Sequence, residues 1–124
     1  MPHYRLVIVE SPYRARTRAL ARRNVAYMIA AMRDSINRAE APFLSHMMYT
    51  GALDDDNPID RQLGIDLGFA WWPFVEAICF YCDLGWSEGM INAKLRANRH
   101  GLAVEERYIA QNNDNQPESE LPQP

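Results

Sequence analysis

A serine and a glutamate stand side by side where a strand, a glycine-containing turn and a helix meet, in Cys82-Asp83-Leu84-Gly85-Trp86-Ser87-Glu88-Gly89-Met90. The run before them, Pro73 to Tyr81, is apolar and β-prone and reads as a buried strand. The run after them, Ile91 to Asn98, has helical character, and Gly101 punctuates its end. Ser87 is a good N-cap type, which puts Glu88 in the first helical turn. The helix dipole and the free amides of that turn favour negative charge, which suits Glu88 to act as a nucleophile. It is the leading candidate for the working residue.

The same stretch is formally a G-x-S-x-G, the nucleophile elbow of serine hydrolases. That fold needs an acid and then a histidine on later strands. Only 37 residues follow Ser87, and His100 is the sole histidine among them. The remaining strands have no room, so the serine is read as a cap.

Other residue types mark further candidates. Asp66 falls on the margin of an apolar helix face, where a carboxylate is costly unless used or paired. Asp54-Asp55-Asp56 lacks the spacing of a calcium loop and reads as a solvated acidic loop. Cys79 and Cys82 form a lone C-x-x-C inside the strand and read as buried thiols, not as a redox or zinc pair.

The elements that position these groups follow from periodicity. Tyr4 to Val9 is a β-branched run expected to be the central first strand, ending in the loop Glu10-Ser11-Pro12-Tyr13-Arg14. A helix is expected from about Arg16 to Ala39, with Leu20, Ala21, Val25, Met28, Ile29, Met32 and Ile36 as one apolar stripe. Pro42 ends it, and Phe43 to Met48 reads as a second strand running into the loop 49–58. Asp60 to Trp71 is the next helix, its apolar face formed by Ile59, Leu63, Leu67 and Ala70 or Trp71. The strand at Phe74 to Tyr81, the Ser87 turn, a helix to about Asn98 and a last strand at Leu102 to Glu106 complete the series. Strands alternating with helices predict an α/β fold: a small flavodoxin- or Rossmann-like three-layer arrangement with a four- to five-stranded, mostly parallel sheet. Ligands bind such sheets beyond the carboxyl ends of the strands. That rim collects Ser11, Pro12, Tyr13 and Arg14 after strand one, His46 after strand two, and Asp83 to Glu88 after strand three.

Composition sets outer limits. A chain of 124 residues with 48% hydrophobic and 23% charged residues suits one soluble domain, expected over residues 1–110, with a disordered polar tail at 111–124. A formal net charge of −3 argues against a nucleic-acid polymer as partner. Six arginines (5, 14, 16, 18, 22 and 23) nevertheless crowd the first 23 positions, while Lys94 is the only lysine. Arginine forks suit phosphate or carboxylate recognition. No signal peptide or membrane-spanning stretch is evident, so a cytoplasmic location without membrane contact is expected.

The order of these motifs, over Tyr4 to Tyr108, resembles the nucleoside 2-deoxyribosyltransferase-like superfamily. That group includes the transferases, the nucleoside 5'-monophosphate N-glycosidases and small phage and bacterial relatives. The pieces are Ser11-Pro12-Tyr13, Arg23-Asn24-Val25, Ser45-His46, the helix from Asp60 to Gly68, and Ser87-Glu88-Gly89-Met90. The resemblance implies that Glu88 attacks the anomeric carbon, that Asp66 is the general acid at the base, and that Tyr13 lies along sugar and base. It implies Ser87 at the phosphate, with Ser11, Pro12, Arg14, Asn24, His46, Gly89 and Met90 completing a substrate pocket. Carboxylates as nucleophile and acid suit an oxocarbenium-like transition state, and no metal or organic cofactor is needed. The glycine-rich stretch that follows strand one in the hydrolases is replaced here by Ser11 to Ala15. No counterpart of the transferases' C-terminal part is evident, so hydrolysis is favoured over base transfer. The alternative is a binding protein that captures a nucleotide or a nucleotide-derived signal without turnover. A third reading is an interaction protein with Trp71-Trp72 at its surface; a homodimer or higher homo-oligomer is expected in each case.

Overall fold

In strand β1 (Arg5–Glu10) side chains alternate, Val7 and Val9 to one face and Ile8 and Glu10 to the other, and this divides the core in two. The computed structural model describes residues 3–110, so the tail expected at 111–124 lies outside the described residues. After β1 come α1 (Arg18–Asn37), β2 (Glu40–Phe43), α2 (Ser45–Met48), α3 (Pro58–Ala70), β3 (Ala77–Tyr81), α4 (Glu88–Arg99) and β4 (Val104–Arg107). The four strands form one parallel sheet in the order β2-β1-β3-β4. Met28 and Ala31 of α1 pack on Val7, Val9, Cys79 and Tyr81. Phe69 of α3 and Met90, Ala93 and Ala97 of α4 pack with Ile8, Ile78 and Phe80 on the opposite face. This is the small doubly wound α/β arrangement that the alternation of elements predicts. Among the described residues no helix is long and apolar enough to cross a membrane.

Three local expectations are corrected. The second strand lies before Leu44, not at 43–48: β2 is Glu40–Phe43, and Ser45–Met48 forms the single turn α2. Pro42 therefore sits inside a strand, beside Val7, and is tolerated because β2 is an edge strand that needs no donor on its outer side. The sheet-facing row of α1 is Asn24, Met28, Ala31 and Ser35, whereas Leu20, Val25, Ile29 and Ile36 are exposed. Asn24 and Ser35 have hydrogen-bond partners on that side, which draws their row inward (described below). On α3 the expected face is likewise turned: Ile59 and Leu63 are exposed, and Gly68 is the buried residue. A Cβ at Gly68 would lie 3.2 Å from the Ser45 Cβ, so glycine lets α3 approach α2.

Charged side chains brace the α1 face of the sheet. Arg107 donates both guanidinium arms to Glu40, each at 2.7 Å, and also reaches Glu105 at 2.8 Å and Tyr81 Oη at 3.1 Å. Ser35 donates to Glu40 at 2.8 Å, and Arg5 pairs with Glu105 at 2.6 Å. Burial alone would raise the Glu40 carboxyl; the hydrogen bonds from Arg107 and Ser35 outweigh it and hold the group below its ordinary value. Cys79 lies beside Glu40 and Glu105, but both carboxylates are engaged by guanidinium groups and burial pushes the thiol up to about 12. The cluster is therefore held together as an ion network.

Candidate functional site

The chain runs from β1 outward to β2, then crosses back to β3 on the other side of β1, so the topological switch falls between β1 and β3. A crevice beyond the carboxyl ends of strands is the expected ligand position at such a point. A cavity of about 680 Å³ opens there, walled by the end of β1, the loop 11–14, α2, α3 and the start of α4. That volume lies in the range of small-molecule and cofactor sites.

The loop wall is built from beneath. Asn24, buried under the loop, donates its amide N–H groups to the carbonyls of Tyr13 (3.2 Å) and Arg14 (3.4 Å). Arg23 donates to the Asn24 Oδ1 at 3.1 and 3.3 Å, which fixes the amide's orientation. Ser11, Tyr13 and Arg14 line the cavity; Pro12 is buried but does not. Asn24 thus positions the loop without lining the cavity. Asn24→Ala leaves two carbonyls without their donor and is expected to cost about 1–3 kcal/mol, read by thermal unfolding, and to weaken ligand binding through a loosened loop. An unchanged melting temperature would show that the loop holds itself.

Tyr13 packs edge-on against His46 of α2, with ring centroids 4.9 Å apart. Arg14 pairs with Asp55 at 3.9 Å, and Asp55 lines the cavity, so the acidic loop is partly drawn into the wall rather than wholly solvated. The α4 wall matches the cap expectation. Ser87 Oγ accepts from the Met90 N–H at 3.2 Å, and Met90 is anchored in the core. Glu88 and Gly89 are left exposed on the cavity side. Gly85, at φ 88°, supplies the left-handed turn that brings the chain from β3 to this cap.

Asp66 stands apart from the group. It is exposed, accepts from Gln62 Nε2 at 2.9 Å, and does not line the cavity. The carboxylate that α3 does present is Asp60, which accepts from the Asp54 N–H at 2.9 Å. Arg61 of α3, with Arg96 and Arg99 of α4, adds positive charge to the same cavity, Arg96 lying 3.7 Å above the Phe69 ring. Of the tryptophans, Trp72 is core, Trp71 is exposed and stacks on Phe43, and Trp86 packs on Phe80. Burial raises both Cys79 and Cys82, the latter to about 11, as expected of inert buried thiols.

One carboxyl lining the cavity was not singled out by the sequence reading. Glu10, the last residue of β1, points to the cavity face with Ile8; its side chain is 12% exposed. Burial pushes its carboxyl up to about 7. His46 Nε2 lies 3.9 Å from it, and burial lowers that imidazole, with Asp55 partly opposing the shift. Both shifts, the imidazole downward and the carboxyl upward, work against an ordinary ion pair at this contact. The available signal was the period-two pattern, which places a charged residue at the end of an apolar strand on the same face as Ile8.

The family model described as "Domain of unknown function (DUF7768)" matches residues 5–107. The chain belongs to this family. The match runs from the first residue of β1 to the last of β4, so the family domain is coextensive with the sheet. No curated protein and no solved structure matches the chain.

Proposed function

We propose that the cavity binds a nucleoside or, preferably, its 5'-monophosphate and cleaves the N-glycosidic bond, with Glu88 as nucleophile. The observation that carries this reading is the convergence of Ser87-Glu88-Gly89 at a helix start with Ser11, Tyr13, Arg14 and His46 around one cavity at the strand switch point. The motif resemblance to the nucleoside 2-deoxyribosyltransferase-like superfamily supplies the chemistry. Glu88 bonds the anomeric carbon as the base departs, and water then hydrolyses the glycosyl ester. Ser87 and the first-turn amides suit a phosphate, and the arginine side chains add attraction for it. Tyr13 offers an aromatic face to the sugar and base. Hydrolysis remains preferred to base transfer. The chemistry needs no metal or organic cofactor.

A second reading, capture of a nucleotide without turnover, is favoured by one observation: Asp66, the residue that the resemblance offers as acid, faces away from the cavity. Chromatography of free base from a panel of nucleosides and 5'-monophosphates separates the two. Base release by the wild type, lost in Glu88→Gln, supports the glycosidase. Silence across the panel, together with a nucleotide-dependent rise in melting temperature, replaces it with the binding protein.

A further inference from the structure

With Asp66 turned outward, the proposed reaction lacks a proton donor for the departing base. We infer that Glu10 is that donor: a carboxyl at the end of the central strand, nearly closed off from solvent, facing the same cavity as Glu88. This rests on the glycosidase reading above and assigns a second catalytic residue to it.

The geometry supports Glu10 over every other carboxyl of the cavity. Asp60 accepts from the Asp54 N–H, and Asp55 faces the permanently charged Arg14 guanidinium, whereas Glu10 faces an imidazole. Glu88 is exposed at a helix start. The Glu10 side chain is 12% exposed against 34% for Asp55, and its register partner Phe80 sits on β3, the strand that leads to Glu88. The group that faces it at close range is His46 of α2, at 3.9 Å. On the cavity walls beyond lie Arg14 and Asp55 on the loops, Asp60 and Arg61 on α3, and Glu88, Arg96 and Arg99 on α4. A carboxyl that keeps its proton to about pH 7 is matched to general-acid work near neutrality.

The step balances. The C1'–N bond breaks with its electron pair leaving on the base, the Glu10 proton goes to the base nitrogen, and a Glu88 oxygen bonds C1'. Water then adds to C1' and gives its proton to the Glu10 carboxylate, which frees Glu88 and restores the acid.

A leaving group that needs no proton provides the test. Wild type and Glu10→Gln are compared on guanosine 5'-monophosphate and on 7-methylguanosine 5'-monophosphate, whose base is already cationic. The expected result is a loss of kcat/KM, which reports the steps up to departure of the base, of roughly 100-fold or more on the first substrate and only a few-fold on the second. The fall of kcat/KM as pH rises through about 7 should vanish in the variant. Equal losses of kcat/KM on both substrates, or no loss on either, with an active wild type, would overturn Glu10 as the donor to the base while leaving the glycosidase standing. A wild type that releases base from no member of the nucleoside and 5'-monophosphate panel overturns the glycosidase reading, and this inference with it. Similar thermal unfolding of the two proteins at pH 6 excludes misfolding as the cause of a loss.

Discussion

Glu88→Gln is expected to lower base release on the order of 10⁴-fold or more, with little change in KM, because glutamine keeps the shape but cannot form the glycosyl ester. Glu88 is exposed and its loss removes no buried contact, so the melting temperature should stay within about 1–2 °C of the wild type, the small change typical of surface substitutions. The split between a collapsed kcat and an intact fold is what separates a nucleophile from a carboxylate that merely ends a helix. Ser87→Ala provides the contrast. It removes the cap to Met90, which costs about 1 kcal/mol of stability, and weakens monophosphate binding while leaving Glu88 to react. Should Glu88→Gln release base at the wild-type rate, the nucleophile lies elsewhere.

The largest expected effect on stability lies far from the cavity, at Glu40. Its carboxylate takes both arms of Arg107 and the Ser35 hydroxyl in a buried setting. Glu40→Ala leaves a buried guanidinium with only Glu105 and Tyr81, and losing one partner of such a pair costs about 3–5 kcal/mol. Against a total stability of about 5–15 kcal/mol this is a drop of some tens of degrees in melting temperature. The double change Glu40→Met with Arg107→Met should recover much of the loss, since burying a charge pair offers little over apolar packing. A single Glu40→Ala that melts within a few degrees of the wild type would show that the network contributes little.

The same groups set the pH dependence of folding. Glu40 and Glu105 are held low by their arginines, so their contribution is present above the ordinary carboxylate range and is lost as pH falls through their depressed values. Glu10 acts in the opposite sense. Its raised value means that the folded state binds the extra proton, so stability declines as pH climbs from the ordinary carboxylate range to about 7. Glu10→Gln should remove that decline and leave the acid limb in place.

The architecture was legible because it depends on alternation. Apolar runs at β1 and β3 separated by amphipathic segments lead to a parallel sheet, and Ser87 marks its helix through a cap that is purely local. Which row of a helix faces inward is a tertiary matter. On α1 two neighbouring rows satisfy the spacing, and the hydrogen bonds of Asn24 to the loop carbonyls of Tyr13 and Arg14 and of Ser35 to Glu40, none of them within the helix, select between them. The outward turn of Asp66 has the same origin, since the small residues Gly64 and Gly68 bring that side of α3 toward the cavity and α2. Pro42 misled because its strand is at an edge, which a single sequence does not mark. Glu10 was read as loop because it ends a strand whose last residue is defined only by pairing with β3.

The most direct measurement is mass spectrometry of the protein after acid quench during turnover of a nucleoside 5'-monophosphate, followed by peptide mapping. A sugar phosphate attached to the peptide carrying Glu88, absent in Glu88→Gln, is the expected result. Free base accumulating while that peptide remains unmodified at every quench time, or no base from any substrate, would contradict a Glu88 glycosidase.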